Sequence, residues 1–418
     1  MIIERKIKTF DDFSVDSFVS TEKLIKLLKK RNNFKDELLE LFELDTNKPT
    51  EIHVGNAKSL IDSLIQIDEK CEKIDLNVDM KDIHLQKMLK GEKAIFEIFS
   101  IDDEQIINKI KSDKLTVETR YSSKMELLDY FQFNRFANYC RDREYYDLID
   151  VIKDYLNSKN QKNQDQKSIR LVEKFDNNKF YLRAITSTNG YKDFGLNFSV
   201  FVALMSLDSY TKQSGIETYI SSYFVDESSL YVTFALNDKI KVDDNLEIMF
   251  ELILENDEIK RNSVSFNGMF KLIYSNNKSE SEIFIKPRGY KKENKKPTDL
   301  LTYQHRGKVE NVLNDISELP KLIDFYIEQV CEDAQRITKF QNPDHIRRFL
   351  SSSIKRAQKT GFLKYKDKIY KKLINIKVDN TFKLFELLRE VEELFETEDI
   401  VSRDYWRTRI YEAMINGK

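Results

Sequence analysis

The feature that most constrains this chain is a change of period. From about residue 169 to residue 287 apolar side chains alternate with polar ones, whereas before residue 157 and after residue 308 they recur every three or four positions. Alternation sends successive side chains to opposite faces of a strand, and three-to-four spacing gathers them into one stripe on a helix. IRLVEKF and NKFYLRAITS, joined across Asp176-Asn177-Asn178, read as a hairpin. NFSVFVALMSLDSYTKQSG, residues 197–215, reads as one helix ended by Gly215. ETYISSYFV, SLYVTFAL, LEIMFELIL, SVSFNGMFKLIYS and SEIFIKP follow at short polar intervals, as an antiparallel meander. The expectation is an α+β fold: a central antiparallel sheet with packed helices, flanked by mainly helical N- and C-terminal regions.

In the N-terminal region LIKLLKKRNNFKDELLELF (24–42) and AKSLIDSLIQI (57–67) have helical spacing, with Ser20 or Thr21 placed to cap the first. Residues 124–156 carry two or three shorter helices, because Asn134-Arg135 and the polar run 141–144 interrupt the apolar stripe. AIFEIFS and KLTVETRY, near residues 94–100 and 114–121, read as strands. NSKNQKNQDQKS, residues 157–168, has no apolar side chain and reads as a linker. At 418 residues the chain exceeds the size at which one core stops growing. The division expected is 1–160, a mainly helical domain with a few strands; 165–300, the sheet domain; and 301–418, a helical domain. In the last, Pro320 suits a first helical turn, Pro343 starts a helix that Gly361 ends, and Asn380 caps another.

Cys71, Cys140 and Cys331 are far apart and odd in number, against a disulfide framework or a paired zinc site. The N-terminus lacks the apolar run of a signal peptide and no window is apolar enough to span a membrane, so a cytoplasmic protein without a membrane partner is expected. None of His53, His84, His305 and His345 stands three or four residues from another histidine. No Gly-rich phosphate loop, nucleophile elbow or Cys and His pair appears, so no catalytic residue, metal ligand or cofactor is assigned and a non-enzymatic protein is favoured. Asp257, Glu258 and Lys260 have the residue types of a Mg²⁺-dependent nuclease but fall in a turn, where chance explains them better. Mg²⁺ enters only under that rival reading, a nuclease or effector in an antiviral defence or counter-defence system.

The formal charge is only -2, yet residues 336–377 hold 13 Lys and Arg against Asp344 and Asp367. On helices the apolar residues Ile346, Leu350, Ile354 and Ala357 share one side, as do Ile369, Tyr370, Leu373 and Ile374. The opposite sides collect Arg348, Lys355, Arg356, Lys359, Lys364, Lys368, Lys371 and Lys372, with Tyr365 as a stacking neighbour. Like charges four apart destabilise a helix by roughly 0.2–0.5 kcal/mol a pair. Phosphate is the commonest reason to tolerate them, which points to a DNA or RNA backbone as partner. Two readings stand beside it: a face neutralised by residues 386–399, which carry seven acids and one Arg, and a face for an acidic protein partner in an assembly or oligomer. Arg288, Lys291, Lys292, Lys295 and Lys296 form a second candidate surface in the loop RGYKKENKKP. Tyr405 and Trp406, among Arg403, Arg407 and Arg409, read as core packing before base stacking.

RAITSTNGY, residues 183–191, places Arg183, Ser187 and Tyr191 ahead of a helix and paired strands. This segment, with Asn262-Ser263 and the later His305-Arg306-Gly307, resembles the phage/plasmid-like protein family of unknown function, over about residues 165–340. Tyr274-Ser275-Asn276-Asn277 stands where that family commonly has a Cys and an Asn-Gly pair. The resemblance implies a mobile-element origin and a DNA-related setting, and no reaction. Read from the residues alone, Arg183, Ser187 and Tyr191 fix a strand-to-helix corner by hydrogen bonds.

Overall fold

The computed structural model describes residues 5–29, 34–90, 93–110, 112–130, 132–160, 165–188, 194–259, 264–276, 279–287, 301–303, 309–337, 342–396 and 399–416. The fold is α+β, built on a large curled antiparallel sheet and a second, smaller sheet. The large sheet runs in the order Arg5–Thr9, Thr218–Asp226, Ser229–Leu236, Leu246–Asp257, Val264–Asn276, Ser279–Ile285, and the five consecutive strands from Thr218 are the meander read from the alternation. Phe250, Leu252 and Leu254 turn to the same side as Val232 and Phe234 and meet the helix Leu196–Ser214, which is buried along most of its length up to Tyr210. That helix ends at Gly215, whose φ of 74° lies in the left-handed region that a Cβ disfavours. Gly268 serves a different need: a Cβ there would stand 1.9 Å from Cε1 of the Tyr326 ring, which seats the helix Leu319–Ile337 on the sheet beside Phe270 at 5.6 Å.

The smaller sheet has the order Cys71–Asp79, Gln166–Lys174, Lys179–Ser187, Lys114–Thr119, Ala94–Phe99, Ile83–Met88. Its apolar face, with Phe96, Val117, Leu171 and Leu182, packs against helices Ser123–Tyr130, Asn134–Asp142 and Tyr146–Asn160. The other face meets the turns of the large sheet.

Strand pairing and core packing cross the boundaries expected at 160 and 165. The hairpin of residues 166–187, placed in the sheet domain, pairs with Cys71–Asp79 and Lys114–Thr119 from the preceding region. Arg5–Thr9 and the helices Thr21–Lys29 and Ala57–Asp68, placed in the first domain, belong to the large sheet and its core. Of the polar run at 157–168, the described residues belong to the end of the helix Tyr146–Asn160 and, from Gln166, to a strand. Residues 24–42 form two helices, Thr21–Lys29 and Lys35–Leu41, and Ser20 Oγ accepts from Lys23 N at 3.3 Å to cap the first. Gly361 lies in a short 3-10 turn, and the helix expected to reach it ends at Lys355.

Candidate nucleic-acid interface

The basic stretch folds as an antiparallel pair of helices, Pro343–Lys355 and Leu363–Asn375. Asn342 caps the first by accepting from Asp344 N at 3.1 Å, with Pro343 in the first turn. Asp344 is buried and accepts from Arg347 at 2.5 Å and Arg348 at 2.8 Å. The Arg347 hydrogen bond holds the Asp344 carboxyl well below the usual carboxylate range. Arg347 also donates to Leu373 O at 2.6 Å, and Lys366 donates to Ala357 O at 3.1 Å, so each end of the pair is pinned across the gap. Ile346, Leu350 and Ile354 on one helix and Ile369 and Leu373 on the other are buried beneath it.

Arg348 and Lys355 on the first helix, Arg356 and Lys359 in the connection that follows it, where the sequence placed them on a helix, and Lys364, Lys368 and Lys371 on the second helix are exposed, and Lys372 is half-buried. The glutamate-rich segment reaches part of this face. Lys364 pairs with Glu396 at 2.8 Å and Asp399 at 3.0 Å, Lys372 with Glu390 at 2.7 Å, and Arg348 with Asp344. Neutralisation by residues 386–399 therefore holds at Lys364 and Lys372, while Arg348 is paired within its own helix. Lys355, Arg356, Lys359, Lys368 and Lys371 have no ion pair with a carboxylate among the described residues. The Lys359 ammonium stands 5.5 Å from the Tyr405 ring centre.

Tyr365 does not belong to this surface. Its ring is buried against Phe395 at 4.8 Å and its hydroxyl accepts from Glu396 N at 3.3 Å, because position 365 falls on the apolar side of the helix with Ile369. Phe349, which follows Arg348 in the chain, is 37% exposed. Trp406 is fully buried, and Tyr405 packs against Phe362 at 4.8 Å. Arg288, Lys291, Lys292, Lys295 and Lys296, like Tyr191, His305 and Arg306, lie outside the described residues.

Arg183 is fully buried where the two sheets meet. It donates to Leu171 O at 3.2 Å, Ser228 Oγ at 3.2 Å and Glu258 Oε2 at 2.9 Å. Glu258 also accepts from Lys73 Nζ at 2.9 Å and from Leu196 N, the first amide of the central helix, at 3.0 Å. Arg170 donates to Glu258 O at 2.7 Å and to Asp75 at 3.1 Å. Burial alone would raise the Glu258 carboxyl, but the charges of Lys73, Arg183 and Arg170 hold it well below its ordinary value. Ser187 is exposed at the end of its strand, away from this cluster. Sequence reasoning set Glu258 aside as a turn residue. The missed signal is that Arg170 and Arg183 each sit among apolar neighbours in strands that bury both faces, and a buried arginine requires an acid.

The chain matches no protein-family model, no curated protein and no solved structure. Among the described residues no helix is long and apolar enough to cross a membrane, and no group of three or more His, Cys, Asp or Glu is placed to hold a metal ion.

Proposed function

We propose that this protein binds nucleic acid non-specifically, through the backbone, on the outer face of the helical pair Pro343–Lys355 and Leu363–Asn375, in a phage or plasmid setting. The observation that carries this reading is that Lys355, Arg356, Lys359, Lys368 and Lys371 are exposed together with no carboxylate partner among the described residues, while an acid-rich segment close by pairs with Lys364 and Lys372. Cations left over where acids are at hand are matched to an external polyanion, and neutralising phosphate releases condensed counterion. Contacts of this kind position the chain on a backbone without reading bases. Phe349 supplies a ring for stacking where the strand is single.

The test is retention of DNA and RNA on the intact protein at low salt, with Lys355, Lys359 and Lys371 each changed to Glu in one variant. Loss of retention with an unchanged melting temperature supports the reading. Undiminished retention removes it, and so does capture of an acidic protein with no affinity for nucleic acid. Incubation with plasmid and RNA, with and without EDTA, separates binding from chemistry, because metal-dependent cleavage contradicts a non-enzymatic role.

A further inference from the structure

The face of the large sheet that turns away from Phe250 and Leu252 holds a groove of about 420 Å³, within the size range of small-molecule sites. Strands from Arg5–Thr9 through Ser279–Ile285 floor it, and the C-terminal helix Ile400–Asn416 closes one side through Arg403 and Arg407. Glu251 lies in its wall, 7% exposed, with neither carboxylate oxygen in a hydrogen bond or ion pair among the described residues. The cations near it are committed elsewhere: Lys271 to Glu282 at 2.5 Å and Arg407 to Glu392 at 2.7 Å. Met269 stands directly across the strand pair from Glu251, and Arg407 Nη1 donates to the Met269 sulfur at 2.9 Å. A guanidinium donor resting on a thioether is poorly used, since that sulfur is a weak acceptor.

An unmatched carboxylate beside an underused cationic donor is a pattern that a ligand completes. Two free oxygens in one plane call for two parallel N–H donors, and Arg407 calls for an acceptor next to them. The lining carries four cationic side chains against three carboxylates, which disfavours a ligand that is itself a cation. Tyr231 offers a ring to a flat body, and the Arg407 guanidinium is held 4.7 Å over the Phe284 ring. We propose that this groove binds the guanine edge of a free nucleoside or nucleotide, with Glu251 accepting the paired N–H groups and Arg407 donating to the adjacent carbonyl oxygen. This reading does not depend on the basic helical pair.

Titration calorimetry of the intact protein with guanosine, inosine and adenosine at pH 8 tests it. Guanosine binds, inosine, which lacks the exocyclic amine, binds at least about tenfold more weakly, and adenosine does not bind. Burial pushes the Glu251 carboxyl up to about 7, with Arg407 and Lys271 opposing that rise and Glu282 and Glu392 adding to it; Tyr219 and Tyr231 also face it. Guanosine affinity at pH 6 is therefore about tenfold lower than at pH 8, because only the ionised form accepts both donors. Glu251→Gln loses at least about tenfold in guanosine affinity while its circular dichroism is unchanged. Equal binding of the three nucleosides, tighter binding of benzamidine than of guanosine, or no nucleoside binding at all overturns the assignment.

Discussion

Two buried glutamates, Glu258 and Glu251, behave in opposite ways because of what surrounds each carboxylate. Glu258 has Lys73, Arg183 and the Leu196 amide as donors, and its ionised form is favoured. Its folded pKa lies below the unfolded value, so its contribution is present above the ordinary carboxylate range and lost as pH falls through the folded value. Glu258→Gln leaves Arg183 and Lys73 without their acid and destabilises by roughly 3–5 kcal/mol at pH 7, read as a lower midpoint in urea. A shift under about 0.5 kcal/mol, the scale of an ordinary surface substitution, contradicts this. Glu251 is the reverse case. Its folded carboxyl, at about 7 against an ordinary 4.5, keeps a proton that the unfolded chain has released. Stability therefore falls as pH rises between those values, by about 3 kcal/mol in all, and the penalty is complete above 7. Glu251→Gln is near neutral at pH 5 and raises the melting temperature at pH 8; an equal loss at both pH values contradicts the account. The Glu251 role was not legible in the sequence, because a glutamate in an alternating strand looks solvent-facing until the element that covers it is known, and Glu258, in the turn after that strand, was signalled only indirectly by the arginines set among apolar residues at 170 and 183.

At the level of elements, local pattern and long-range pairing part company. Leu196–Ser214 with Gly215 at its end was legible, as were the five strands from Thr218, because period, turn residues and cap agree within short windows. Cys71–Asp79 was missed although Ile74, Leu76 and Val78 alternate with polar residues; its charged first half hides the period. The membership of the hairpin 166–187 was not legible at all. Its partners lie 70 or more residues upstream in one case and across a helical segment in the other, and a strand's own residues do not say which edge it joins. The seating of Leu319–Ile337 turns on one position. Gly268→Val drives a side chain into the Tyr326 ring and destabilises by about 1–3 kcal/mol or more, whereas pairing it with Tyr326→Leu recovers part of the loss. Denaturant midpoints of the two variants check this, and a single variant as stable as the parent chain removes Gly268 from that role.

The whole molecule is nearly neutral, and its charge is segregated instead of absent. A field of one sign does not surround it, so the proposed attraction to phosphate rests on the helical pair near the C-terminus. That pair was legible as amphipathic and basic from residues 343–375. The sequence could not tell which cations fold-back acids would take, since the distance between Lys364 and Glu396 exists only after the intervening helix Thr381–Glu392 has packed. The central claim is that five cations remain for phosphate, and the dependence of affinity on salt counts them. Binding of a short mixed-sequence DNA duplex across a salt series should give a slope of log K against log salt of about -4.5 if all five engage phosphate. Reversal of Lys355, Lys359 and Lys371 to Glu should flatten that slope by more than half, whereas a slope near zero for the unmodified chain contradicts the account.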